Sequence, residues 1–335
     1  MIKKIQLINF RTFKKNVFSF SDGVTVIVGP NGVGKTNILE SLFLLSTGKS
    51  FKAKVEEEVI NHEQPFSRVL GRTEEDKLEV ILTRDSYRKK LLVNEIPRRM
   101  VDFSSNLKIV LFGPWDMGLV TEPPSIRRKF LDIVLSQVDR EYRRAFLSYE
   151  KGLRQRNRLL LKIREEGLAK GQLLFWDKLL IKNGDYISTK REEFIIFTNS
   201  RPSINDQKLG LRYDKSAISE ARLEQYKNEE IASATTLVGP HRDDFVFMMN
   251  ERALSSFGSR GEQRMAILWL KLIELAFIEE KTNEKPTLLL DDIFSELDHE
   301  HREVVMKISK NQQTIITTAD PHFIEKLKGI DIIKL

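Results

Sequence analysis

The sequence predicts an α/β protein with a mixed sheet and a mainly helical lobe inserted into the chain. Three observations carry this. The run TVIVG at residues 25–29 is strand-like and leads through a glycine-rich loop into a helix-like stretch; the C-terminal part alternates helix, apolar strand, helix and strand; and residues from Pro124 to about Ser200 read as helix. The expected divisions are 1–120, 121–230 and 231–335, the outer two forming one head and the middle one the helical lobe.

In order along the chain, KKIQLINF and TVIVG are strands flanking FSFSDG, which reads as a hairpin leading into the loop, and NILESLFLLSTG is a helix closed by Gly48. PFSRVLGR, KLEVILTR and RKKLLVNE form a small antiparallel set, and SSNLKIVLFGP is a further strand ending at Gly113-Pro114. The helical middle starts near Pro124, with breaks expected at Gly152 and Gly167. LGLRYD and DFVFMMNERAL return to strand character. A helix from Glu262 to about Glu280, the strand PTLLLDD, a helix, the strand TIITTAD, a short helix and IDIIKL complete the chain.

Composition narrows the class. The 335 residues, 41% of them hydrophobic, are enough to bury a sizeable core. With no cysteine there is no disulfide or thiolate metal site, and the cytoplasm is the expected compartment. No stretch approaches the roughly 18 apolar residues of a membrane span, so no membrane partner is expected. The formal net charge of +7 favours acidic partners.

The motif Gly29-Pro-Asn-Gly-Val-Gly34-Lys35-Thr36 matches G-x-x-x-x-G-K-[ST] between a strand and a helix. Glycines Gly29, Gly32 and Gly34 let backbone N–H groups curl around phosphate oxygens, and the helix N-terminus favours the anion. Lys35 is expected to reach the β/γ-phosphates, Thr36 to ligate Mg2+, and Asn31 to contact the β–γ region of ATP. Thr287-Leu-Leu-Leu-Asp-Asp292 is an apolar strand ending in two carboxylates, the Walker B form; Asp291 is assigned to the metal and Asp292 to the base that polarises the attacking water.

Ser295-Glu-Leu-Asp298 after the acids resembles the interface loop of ABC-type ATPases, and Phe257-Gly-Ser259-Arg-Gly261-Glu-Gln263-Arg264 resembles their signature loop. In that family Ser259 and Gly261 would meet the γ-phosphate held by a second subunit; capping of the following helix by Ser259 explains the pattern equally well. Together with Asn9-Phe-Arg11, Pro124-Ser-Ile-Arg127-Arg128-Lys-Phe-Leu-Asp132, Gly239-Pro-His-Arg-Asp-Asp-Phe245 and Leu290-Asp-Asp-Ile-Phe-Ser-Glu-Leu-Asp298, these motifs resemble the RecF family in order along nearly the whole chain. Trp115-Asp116 and Glu122 depart from its usual acidic pair and glycine.

The resemblance implies an ABC/SMC-type P-loop ATPase head with a RecA-like core and antiparallel strands. It further implies a weak, DNA-stimulated ATPase of recombinational DNA repair and replication restart that forms an ATP-dependent homodimer on DNA. Such a protein assists recombinase loading at single-strand gaps with RecR and RecO type mediators. Arg11 would reach phosphate in cis, as in related SMC-type heads, and Thr318 is a candidate γ-phosphate sensor. His241 and Arg242 are open between a salt bridge and a contact at the nucleotide edge or dimer face. The alternative is an SMC/Rad50-like or other ABC-type ATPase serving chromosome structure or transport. A transporter predicts a glutamate after the Walker B aspartate and a switch histidine, and an SMC arm needs sustained heptads between Thr36 and Ser259; none of these is in the sequence.

From Arg127 to Arg164 the chain carries twelve Lys/Arg against four Asp/Glu, an excess of +8. At about 100° per residue, Arg140, Arg144, Lys151, Arg154, Arg158 and Lys162 fall on one stripe of a helix, opposite Tyr142, Phe146, Tyr149, Leu153 and Leu160. Arg144, Lys151, Arg154, Arg158 and Lys162 are the DNA-binding candidates, through phosphates rather than bases.

Overall fold

The computed structural model describes residues 1–84, 88–104, 106–204, 207–295, 297, 299–320 and 329–335. Two compact units divide the chain, residues 1–116 with 274–335, and residues 117–273. From the sequence, divisions are expected after residues 120 and 230. The second lies after Ile273 instead, because the strands that follow residue 200 pack on the helices of the middle segment.

In chain order the strands of the first unit are β1 (Ile2–Phe10), β2 (Phe13–Ser19), β3 (Val24–Val28), β4 (Phe66–Thr73), β5 (Lys77–Thr83), β6 (Arg88–Val93), β7 (Ile96–Pro97) and β8 (Ile109–Phe112). The second unit contributes β9 (Leu209–Asp214), β10 (Asp244–Met249) and β11 (Arg252–Ala253). The first unit then resumes with β12 (Thr287–Asp291), β13 (Thr314–Thr318) and β14 (Asp331–Lys334).

The first unit holds two sheets. One is antiparallel, in the order β2-β1-β4-β5-β6-β7; the other is parallel, in the order β14-β3-β13-β12-β8. Every residue of β3, β12 and β13 is buried, the pattern of parallel strands covered on both faces. The helix Lys35–Thr47 packs against strands of both sheets and is buried around nearly its whole circumference. Ile38, Leu39, Leu42 and Leu45 on it, with Ile5, Leu7 and Leu78 from one sheet and Leu289 and Ile316 from the other, are fully buried.

The hairpin expected at FSFSDG lies earlier. β1 and β2 turn at Arg11-Thr12, where Arg11 has φ 52°, and FSFSDG is the end of β2 and its exit toward β3. At Asn94-Glu95 and at Asn250-Glu251 two consecutive positive φ values close two-residue hairpins, the backbone that matches strand twist. The short helix expected before IDIIKL falls on residues 321–328, outside the described residues.

The second unit is built on the helices Pro124–Val138, Arg140–Glu166 and Leu174–Asn199 and the sheet β11-β10-β9. Asp139 ends the first helix and caps the second by accepting from Tyr142 N. Gly167, at φ 68°, closes it as expected, but Gly152 does not break it. A Cβ at Gly152 would stand 2.6 Å from Leu179 Cδ2, so the glycine lets the Leu174–Asn199 helix approach closely. Among the described residues no helix is long and apolar enough to cross a membrane.

Arg156 lies on the inner side of this long helix, 1% exposed. It meets Asp177 at 2.7 Å, Glu230 at 2.7 Å and the Thr236 hydroxyl at 2.8 Å. Replacing it leaves the fully buried Glu230 without its cation. Arg156→Met is therefore expected to cost about 3–5 kcal/mol of stability, read as a lowered urea midpoint.

Candidate functional site

The glycine-rich loop leaves β3 at Val28 and enters its helix at Lys35. Gly32 and Gly34 have φ values of 82° and 108°, and a Cβ at Gly34 would stand 2.9 Å from both the Phe13 ring and the Thr12 hydroxyl. Glycine at 34 is thus required by backbone and by space alike. Lys35 is buried and folds back over the loop, donating to Gly29 O at 2.7 Å and Pro30 O at 2.9 Å. Asn31 stands exposed on the loop, and Asn37 ties the helix to the β1–β2 turn by donating to Thr12 Oγ1.

The parallel sheet brings the first Walker B acid to the loop. β3 and β12 flank β13, with Val26 beside Ile316 and Ile316 beside Leu290, so Asp291 ends its strand level with the start of the loop. The Thr36 hydroxyl donates to the Asp291 carboxylate, 3.0 and 2.9 Å from its two oxygens. Thr317 Oγ1 donates to Asp291 Oδ1 at 2.6 Å. A hydroxyl and a carboxylate side by side are the hard oxygen donors that suit Mg2+, and the loop has the cradle form that suits a polyphosphate. Thr36 and Asp291 are the residues that would hold the ion, which on ATP would neutralise phosphate charge.

Asp292 does not continue the strand. Its φ of 50° is left-handed, and its N–H donates to Thr317 O at 3.2 Å and Thr317 Oγ1 at 3.1 Å. The two acids are therefore separated by a backbone turn rather than by strand alternation. Thr317 holds both, and Thr318, the candidate γ-phosphate sensor, accepts from Asp320 N through its Oγ1. Residue type alone did not single out Thr317; the register of β13 against β12 sets it level with Asp291. Of the SELD segment, Glu296 and Asp298 lie outside the described residues.

Arg11 is engaged with protein. Its Nε and one terminal nitrogen donate to Glu40 at 2.9 and 2.6 Å, and the other donates to Glu58 O at 2.6 Å. Glu40 is fully buried on the helix that follows the loop and also accepts from Ser50. Arg11 thus neutralises a buried carboxylate next to the loop. Trp115, one of the departures from the family pattern, lies over Gly113 and against Phe51, with ring centroids 4.8 Å apart.

In the second unit Ser259 precedes the helix Arg260–Thr282 and makes a reciprocal cap with Glu262. Ser259 N donates to Glu262 Oε2 at 2.7 Å, and Glu262 N donates to Ser259 Oγ at 3.3 Å. The Ser259 backbone N–H, then its hydroxyl, hold the Glu262 carboxyl below its ordinary range. Ser259 and Gly261 are exposed, and Phe257 beside them is 74% exposed. Gln263 is buried under the loop, donating to Leu254 O and Gly258 O.

His241 and Arg242 sit inside the same unit. His241 Nδ1 accepts from Tyr149 Oη at 2.8 Å and Nε2 donates to Thr236 O at 2.9 Å, while Arg242 donates to Thr236 O at 3.3 Å. On the long helix Arg144, Lys151, Arg154, Arg158 and Lys162 are all exposed, with Arg144 paired to Glu141. Tyr142, Tyr149 and Leu160 on the other side are buried.

The model of the RecF/RecN/SMC N terminal domain family matches residues 1–334. The DNA replication and repair protein RecF of Herpetosiphon aurantiacus is 35% identical over 375 residues, spanning 99% of this chain and 97% of that protein. The RecF of Halothermothrix orenii is 37% identical, spanning 95% and 92%. Among solved structures, the recombination mediator protein RecF with ATP, of the RecFOR pathway, is 32% identical with a TM-score of 0.90 over 99% of this chain and 95% of that one. The Smc head domain of Pyrococcus furiosus, bound to the C-terminal domain of ScpA, shares the fold at 17% identity and a TM-score of 0.50, over 98% and 92%.

Burial lowers the His241 imidazole from 6.5 to about 4. Its folded value lies below its unfolded one, so its contribution to stability is complete above about pH 6.5 and is lost as pH falls toward about 4. His241→Gln is expected to flatten the fall in urea midpoint between pH 7 and pH 5 relative to the parent chain.

Proposed function

The chain belongs to the RecF family, an ABC/SMC-type ATPase fold, and on that premise we propose that it is a DNA-binding protein of replication and recombinational repair whose dimerisation is switched by ATP. The observation that carries this reading is the Thr36 hydroxyl on the Asp291 carboxylate, which joins the phosphate loop to the Walker B strand. Lys35 and the backbone N–H groups of Gly29, Asn31, Gly32 and Gly34 bind the phosphates, and Thr36 with Asp291 holds Mg2+. Asp292, turned out of the strand, is the base that takes the proton of the attacking water.

Ser259 and Gly261 stand exposed on a capped helix N-terminus, a donor arrangement suited to an anion brought by a second copy. ATP would then join two subunits, and its weak, DNA-stimulated hydrolysis would part them. The exposed cations Arg144, Lys151, Arg154, Arg158 and Lys162 follow the DNA backbone. Solved relatives are described as recombination mediators of the RecFOR pathway, which supports RecR and RecO type partners and recombinase loading at single-strand gaps. The compact helical unit favours this role over that of a chromosome protein with long arms.

Lys35→Ala and Ser259→Ala are each expected to abolish ATP-dependent dimerisation on DNA in sedimentation velocity. Parent-like dimers from either variant would refute the coupling. Arg154→Glu with Arg158→Glu is expected to weaken duplex binding for every sequence and to flatten the plot of log affinity against log salt by about 2. An unchanged slope would remove the long helix from the DNA surface.

A further inference from the structure

The antiparallel sheet of the first unit has one face against the helix Lys35–Thr47 and another whose residues, Glu79 apart, are half-buried or exposed. Strand alternation and register define the outer face. Ile5 and Leu7, buried, point inward with Val69 and Leu78, so Lys4, Gln6 and Ile8 point outward. One outward row runs Ile8, Arg68, Ile81, Lys90 across β1, β4, β5 and β6; the next runs Gln6, Leu70, Glu79, Leu92.

Ile8, Leu70, Ile81 and Leu92 are only half-buried and alternate between these rows, forming an aliphatic strip across four strands. Val17 on β2, 48% exposed and opposite Gln6, extends it. The cations Lys4, Lys15, Arg72, Arg88 and Lys90 surround the strip and are exposed. Glu79 is the carboxylate on these outward rows, and it is buried and held by Arg68 at 2.6 Å.

We propose that this face docks an acidic amphipathic helix of a partner protein, with its apolar side on the strip and its carboxylates on the surrounding cations. The dimensions suit that occupant. Four strands about 4.8 Å apart make a strip about 14 Å long, which two to three turns of a helix laid across the strands would span at about 5.4 Å per turn. Phe66, half-buried, lies at the margin of this outward face beside Thr83, and the aliphatic centre of the strip offers nothing to a phosphate chain. The inference rests on neither the nucleotide site nor the basic helix.

Calorimetric titration of the full chain with three probes tests it: an acidic helical peptide with leucines on one side, a polyglutamate peptide of equal charge, and duplex DNA. The leucine peptide is expected to bind at least tenfold more tightly than polyglutamate. Arg72→Glu with Lys90→Glu should weaken it at least tenfold while leaving ATP binding and duplex affinity unchanged. The proposal is overturned if polyglutamate binds as tightly, if neither peptide binds, or if the double variant loses duplex affinity to the same degree, which would make the face a nucleic-acid surface. A change of oligomeric state in the variant would assign the face to a second copy and overturn it as well.

Discussion

A helix enclosed on all sides must satisfy every polar group it carries, and the helix Lys35–Thr47 carries several. Ser41 Oγ donates to Ile38 O, Ser46 Oγ to Leu107 O, and Glu40 is matched by Arg11 and Ser50. The Ser41 bond is spent within the helix, whereas those of Ser46 and Glu40 fix it to neighbouring segments. The phosphate loop is an extension of that helix and Asp291 lies at the end of a strand it packs on, so loop and acid hold their separation because the helix cannot move. Removing Arg11 would release a buried charge beneath the loop.

The second unit is held by polar pairing of another kind. Arg191, fully enclosed, joins Asp132 at 2.7 Å to Asp243 at 3.0 Å and donates to Pro240 O. Arg127 meets Asp244, and Arg128 donates to Asp243 O. Two of the segments that resemble the family in sequence, Pro124–Asp132 and Gly239–Phe245, are thus the two sides of one buried network. Their residue types answer to each other, which is why both keep an arginine–aspartate vocabulary that looks functional in isolation. Burial of this network also explains why His241 is neutral and turned inward rather than presented to a ligand.

Much of the site was legible from residue types alone, since G-x-x-x-x-G-K-T and an apolar run ending in acids impose their own backbone. The strands and long helices were legible for the same reason, through periodicity. Three features were not. Gly152 looked like a break, yet its missing Cβ serves the approach of Leu179 across a helix pair, a distance no local pattern encodes. Thr317 looked like one of several strand threonines until register placed it beside Asp291. The pairing of Arg11 with Glu40 was hidden because Glu40 lies in a helix whose apolar pattern conceals a buried acid. In each case the decisive neighbour is distant in sequence.

The reciprocal cap at Ser259 has a bearing on encounter. The hydroxyl oxygen accepts from Glu262 N while its proton is turned to the Glu262 carboxylate, so its rotor is restrained. A group arriving at that helix end meets a serine already held in place by Glu262, with the torsional freedom of one side chain surrendered at folding rather than at contact. Recognition there would be limited by how often the surfaces meet, not by how long the serine takes to find its pose.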